Sequence, residues 1–219
     1  MDINLQTEKI KKSKNIEFEN KNFKNIEFEN IEFQKFKEKW KNCSKCKELV
    51  ENRTNIVFGD GNPNPKIVFI GEAPGDNEDK KGKAFVGRSG KELDKLLEKI
   101  NLTRNDVYIM NVLMCRPPKN RNPKSEEIKN CHERFYEQIK TLNPKIIVTL
   151  GNFSTQKILE TKEPISKLHG KIQKKNELTI IPTFHPATIL YSGGNNRKIM
   201  EEDFMIIKDF LNNNTNYTK

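Results

Sequence analysis

Four cysteines and a handful of polar residues at the ends of apolar runs are the chemically suggestive features of this 219-residue chain. Cys43-Ser44-Lys45-Cys46 is a two-residue-spaced pair, and Cys115 and Cys131 bracket a loop and the start of an expected helix. Four thiolates so arranged suit zinc, and the same ligand count suits an iron–sulfur cluster. A thioredoxin-like redox pair fits less well, because the Cys-x-x-Cys precedes the first expected strand instead of joining a strand to a helix. Elsewhere Gly71-Glu72-Ala73-Pro74-Gly75, Cys115-Arg116-Pro117-Pro118 and His185-Pro186 each follow an apolar run. Glu72 and His185 within them, and Glu78 three residues beyond Gly75, can hold or move protons. Asn111 offers one acceptor and two donors, and Phe85 offers a flat apolar face. The Gly-rich stretch through Phe85-Val86-Gly87-Arg88 matches neither the phosphate-loop nor the dinucleotide fingerprint, which disfavours a nucleotide cofactor.

These residues need a scaffold, and the pattern after residue 42 supplies one. Apolar runs at Lys66–Ile70, Val107–Leu113, Lys145–Leu150 and Leu178–Phe184 read as strands. They alternate with amphipathic segments, which predicts an α/β fold: three layers, α/β/α, around a central, mostly parallel four-stranded sheet. Ser89 with Glu92 three residues on has the form of a capping box, followed by Leu93, Leu96, Leu97 and Ile100 on one face. A second helix starts at Ser125 with Ile128, Cys131, Phe135, Ile139 and Leu142 facing inward, a short one follows Gly151, and Arg197–Leu211 forms the last. Ligands of such sheets bind beyond the carboxyl ends of the strands, where the suggestive loops lie.

Residues 1–41 differ in kind. Lys-Asn-Ile-Glu-Phe-Glu-Asn occurs at 14–20, recurs at 24–30 and is echoed by Ile31-Glu32-Phe33. The composition is rich in Lys, Glu and Asn, so 1–41 is read as a disordered or partly helical extension and 42–219 as one domain. The 40 Lys and Arg against 30 Asp and Glu leave a net charge of +10, which favours an anionic partner. No apolar run approaches the roughly 20 residues of a membrane helix, and the start lacks a secretory signal pattern. An intracellular location without membrane association is expected, and there four cysteines are better metal ligands than disulfides.

The motifs Gly71-Glu72-Ala73-Pro74-Gly75, Phe85-Val86-Gly87-Arg88, Asn111 with Cys115-Arg116-Pro117-Pro118, and His185-Pro186, together with the cysteine pairs, resemble the family 4 uracil-DNA glycosylases over roughly residues 40 to 205. The resemblance implies a monofunctional, monomeric enzyme that removes uracil from single- or double-stranded DNA. It favours a [4Fe–4S] cluster on Cys43, Cys46, Cys115 and Cys131. It implies that Phe85 stacks on the flipped uracil, that Asn111 reads its N3–H and O4, and that His185 donates to O2. The backbone of Ala73 is expected to contact the base. Glu72 is expected to orient water or stabilise the sugar cation, and Glu78 to shape the wall near uracil C5. Ile189, Leu190 or Tyr191 are candidate wedges into DNA, and Arg88, Arg116, Arg121, Arg197 and Lys198 candidate phosphate contacts. The chain departs from the family in carrying Ala84 where proline usually precedes the stacking phenylalanine. It also lacks, over residues 115–123, the basic insertion of a covalent uracil-trapping relative, so turnover is expected.

Overall fold

A computed structural model describes residues 31–191 and 195–214. Both complete copies of the N-terminal repeat, and Ser192-Gly193-Gly194, lie outside the described residues. In chain order the elements are α1 (residues 31–40), α2 (Lys47–Asn52), β1 (Asp60–Gly61), β2 (Ile67–Gly71), α3 (Asp76–Lys81), α4 (Arg88–Lys99), β3 (Val107–Asn111), α5 (Ser125–Leu142), β4 (Ile146–Leu150), α6 (Asn152–Leu159), α7 (Ile165–Leu168), β5 (Gln173–Lys175), β6 (Leu178–Thr183) and α8 (Asn195–Asn213). Short 3-10 turns at Pro118–Asn120 and Pro186–Leu190 follow β3 and β6.

The sheet order is β1-β3-β2-β4-β6-β5. Its centre is the expected set of four parallel strands, with Gly71 of β2 level with Asn111 of β3. Among the described residues the sheet has six strands instead of four, because β1 and β5 add antiparallel edges. Both are two or three residues long and polar, so no apolar run announces them; short polar edges also discourage pairing with another chain.

Alternation along the central strands divides the core into two layers. Ile67, Phe69, Val107, Ile109, Ile146, Val148 and Ile181 face α4 and α8, where they meet Leu93, Leu96, Leu97, Phe204 and Ile207. Val68, Ile70, Tyr108, Met110, Ile147 and Ile180 face the other way, onto Phe135, Ile139 and Leu142 of α5. Because both faces are covered, the four central strands are mostly apolar and buried along almost their whole length.

Helix α1 belongs to this second layer. Phe33, Phe36 and Trp40 are buried in it, and Trp40 Nε1 donates to Glu137 of α5 at 3.0 Å. The packed unit therefore reaches back at least to residue 31, ahead of the boundary drawn at residue 41. The helical spacing of those aromatics was masked by the Lys and Glu between them.

The start of α4 also differs from expectation. Its N-cap is Gly87, with no side-chain cap, and Glu92 is engaged by Lys95 at 2.9 Å and Arg197 at 2.5 Å. In α5, by contrast, the Lys124 amide donates to Glu127 Oε2 at 2.7 Å, so an acidic residue in the first turn satisfies an orphan donor.

Candidate active site

Beyond the carboxyl ends of β2, β3 and β6 lies a cleft of about 380 Å³ lined by Glu72, Ala73, Glu78, Phe85, Asn111 and His185 among others. The topology explains the meeting. β2 and β3 are neighbours in register, so Gly71 and Asn111 end side by side, and β6 brings His185 to the same end of the sheet. Phe85 reaches the group from the loop between α3 and α4.

The packing around Phe85 is tight. A Cβ on Gly71 would come within 2.5 Å of Asn111 Oδ1 and 2.6 Å of the Phe85 ring, so only glycine permits the amide and the ring to share that corner. The Phe85 and His185 rings lie 5.5 Å apart between centroids. Phe85 is in the left-handed region, φ 52°, which costs a bulky residue on the order of 1 kcal/mol or more unless its surroundings enforce it. Gly90 is needed for the same reason of space, since a Cβ there would overlap the Phe85 carbonyl.

Asn111 is 2% exposed, and its Oδ1 has no hydrogen-bond partner among the described residues. A buried acceptor left unpaired costs about 1–3 kcal/mol, so this atom marks a place built for a donor. His185 Nδ1 accepts the Ala187 amide at 3.1 Å. Burial pulls the His185 pKa down to about 4, so the ring is neutral and its proton sits on Nε2, free to donate.

The two carboxylates differ. Glu78 accepts the amides of Val86 and Gly87 at 2.8 and 2.7 Å, fastening the loop that carries Phe85. Glu72 has no side-chain hydrogen bond among the described residues, and burial raises its pKa. Desolvation of an unpaired carboxylate strengthens its field on any nearby positive charge.

At the rim, Tyr191 is 78% exposed, whereas Ile189 is buried in the core. Ile189 is thereby removed from the candidate wedges. Three of the candidate phosphate contacts are already engaged: Arg116 by Asp76 at 2.5 Å, Arg121 by Glu127 at 2.6 Å, and Arg197 by Glu92. Arg88 and Lys198 are exposed and carry no ion pair among the described residues.

Next to the cleft is the cysteine corner. Cys115 and Cys131 are buried with Leu49 and Leu113, and Cys46 and Ala73 pack against them; Cys43 is half-buried. Burial raises the Cys46 pKa, with Cys115 and Cys43 contributing, and burial likewise raises that of Cys131, with Cys115 and Cys46 contributing. Among the described residues no three His, Cys, Asp or Glu side chains converge as a single metal ion requires.

Two arginines that sequence reasoning missed point at the sulfurs. Arg53 Nη1 donates to Cys115 Sγ at 3.1 Å and Nη2 to the Cys43 carbonyl at 2.7 Å. Arg134, 1% exposed, donates to Cys131 Sγ at 3.1 Å, and its Nε and Nη1 have no partner among the described residues. A buried guanidinium without a carboxylate calls for another anion. The one available hint was position: Arg134 lies three residues after Cys131, on the same inward face of α5.

Comparison with known proteins gives the family. The model of the uracil DNA glycosylase superfamily matches residues 58–205. A type-4 uracil-DNA glycosylase of Sulfurisphaera tokodaii is 45% identical, covering 84% of this chain and 87% of that protein. One of Saccharolobus solfataricus is 45% identical, over 77% and 82%, and one of Thermotoga maritima 43% identical, over 80% and 92%. The chain belongs to the uracil DNA glycosylase superfamily and, within it, to the type-4 family.

Proposed function

We propose that this protein hydrolyses the N-glycosidic bond of uracil in single- or double-stranded DNA, releasing free uracil and leaving an abasic site as the first step of base excision repair. The observation that carries the reading is the buried, unpaired Oδ1 of Asn111 at the floor of the cleft. Uracil presents a donor at N3 and an acceptor at O4, which the Asn111 amide can match with Oδ1 and Nδ2. Cytosine presents the opposite pair and would leave both groups unsatisfied.

In this reading the base leaves the stack at a cost of a few kcal/mol and lies on the Phe85 ring, with the Ala73 backbone at its edge. The bond between C1′ and uracil N1 breaks with its electron pair on the base. Negative charge spreads to O2, where His185 Nε2–H donates; a neutral imidazole suffices, and its low pKa keeps it neutral. Glu72 faces the positive sugar and orients the water whose oxygen bonds to C1′ and whose proton is released. Glu78 holds the Phe85 loop and shapes the wall near uracil C5. The exposed Tyr191, beside Leu190, is suited to fill the space of the flipped base.

Cys43, Cys46, Cys115 and Cys131 would hold a [4Fe–4S] cluster. The donor set fits: four cysteines, with Arg53 and Arg134 supplying positive charge that suits an anionic centre. When bound, the cluster supplies cross-linking, and the reaction needs no electron transfer. The Glu72 carbonyl accepts the Leu113 amide at 3.0 Å, and Ala73 packs on the cysteine corner, so bracing there would reach the cleft directly.

The test is release of free uracil from a uracil-containing oligonucleotide by cluster-loaded protein, beside Asn111→Ala. No release by the wild type overturns the reading. Retained uracil-specific binding without release would instead favour a damage-recognising module that does not cut.

A further inference from the structure

Phe85 is held in its left-handed conformation from behind, by a side chain that does not line the cleft. Arg104 lies in the turn between α4 and β3. Its Nη1 donates to the Ala84 carbonyl at 3.0 Å, and its Nη2 donates to the Phe85 carbonyl. The same guanidinium is anchored by Asp94 of α4 through Nε at 2.7 Å and by Asp60 of β1 through Nη1 at 2.8 Å. Three nitrogens thus serve four acceptors on three separate segments. Only a rigid planar fork can do this, and a lysine ammonium cannot imitate it.

We propose that Arg104 is the positioning residue for the base-stacking platform. A bulky residue at φ 52° relaxes toward a negative φ unless its peptide group is held. Arg104 holds the carbonyl of the Ala84–Phe85 peptide and that of the Phe85–Val86 peptide, the two peptide groups on either side of the Phe85 Cα. Gly90 leaves room for the Phe85 carbonyl against α4, and Glu78 fixes the next two amides. Between them the ring stays over Gly71, beside Asn111 and His185. Arg104 therefore acts through Phe85 and touches neither base nor sugar. The inference rests on the proposal that Phe85 stacks on uracil, and it adds that the stacking geometry is set by a cation outside the cleft.

The inhibition constant of free uracil tests this, because it does not depend on the fraction of protein that is folded. Arg104→Gln and Arg104→Lys are each expected to raise it about tenfold. The single-turnover rate should fall by a similar factor, with the pH profile unmoved. Phe85→Leu should weaken uracil as well, and the double variant should be little worse than either single one, as for residues acting in series. An Arg104→Gln protein that melts earlier but binds uracil as the wild type does overturns the proposal. A Phe85→Leu protein with unchanged uracil inhibition overturns instead the stacking reading beneath it. Should Arg104→Gln not fold, Asp94→Ala removes the acceptor of Nε alone; a rise of roughly threefold in the inhibition constant is then expected, and no rise overturns the proposal.

Discussion

The cleft and the cysteine corner sit side by side, and both contain buried polar atoms that the protein leaves unpaired. In the cleft the orphan is a neutral acceptor, Asn111 Oδ1, beside a neutral histidine and a desolvated carboxylate. In the cysteine corner the orphans are two nitrogens of a guanidinium, Arg134 Nε and Nη1, beside sulfur. The difference shows what each region is arranged to receive. A neutral acceptor suits a neutral donor such as the N3–H of a base, whereas a buried cation suits an anionic centre. It also separates their roles: unpaired groups in the cleft cost stability for the sake of binding, and those in the corner are compensated once an anion is present.

The largest expected effect would sharpen that contrast. Arg134→Met should destabilise the cluster-loaded protein by about 3 kcal/mol, lowering Tm on the order of 10 °C. It should leave cluster-free protein unchanged or more stable, because an uncompensated buried cation is removed. Calorimetry of both forms decides it, and equal losses in the two would break the comparison.

His185→Ala should lower single-turnover uracil release about 10²- to 10³-fold, as expected for loss of a donor aimed at developing negative charge. Asn111→Ala should lower it about 10- to 100-fold with no loss of Tm, since the variant relieves a buried unpaired acceptor. A Tm that falls with activity would show Asn111 to be a structural tie.

The pH dependence follows from the cleft's two shifts. His185, pulled down to about 4, stays neutral until the pH nears that value, so kcat/KM should show no break at the ordinary histidine value. The acid limb should belong to Glu72, lie above the ordinary glutamate value because burial raises it, and vanish in Glu72→Gln. Stability responds with opposite signs. As pH falls from about 6.5 to 4 the unfolded chain takes up the His185 proton first, so that residue's contribution to stability is lost. As pH rises above the ordinary glutamate value the unfolded chain releases the Glu72 proton first, so stability is lost upward.

The smallest effect concerns the rim. Arg88→Gln and Lys198→Gln should each reduce the salt slope of DNA binding by about 1. Arg116→Gln should change the slope less, because Asp76 already holds that guanidinium. Binding titrations over a salt series measure both.

Much of the fold was legible because its signals are local. The four central strands are continuous apolar runs, and α5 shows its inward face by helical spacing. Elements without such signals were not legible. β1 and β5 are short and polar, α1 hides its aromatics among charges, and the Ser89 to Glu92 spacing looks like a cap although Glu92 turns to Lys95 and Arg197. Similarly, five basic residues looked equivalent in sequence, but Arg116 and Arg197 are paired by carboxylates distant in the chain.

By itself the sequence determined the four central strands, the order of the loops at their ends and, through its motifs, the family and the residues that line the cleft. Residue type and spacing suffice for these, because strand alternation and chain order bring the loops to one end of the sheet. Only the tertiary structure decided that Glu78 holds a loop while Glu72 stays unpaired, that Nε2 of His185 carries the proton, and that Arg53, Arg104 and Arg134 serve sulfurs and a strained backbone. Those outcomes depend on burial and on how side chains and backbone meet in space, and the energy of a charge or an unpaired polar atom is set by what surrounds it there.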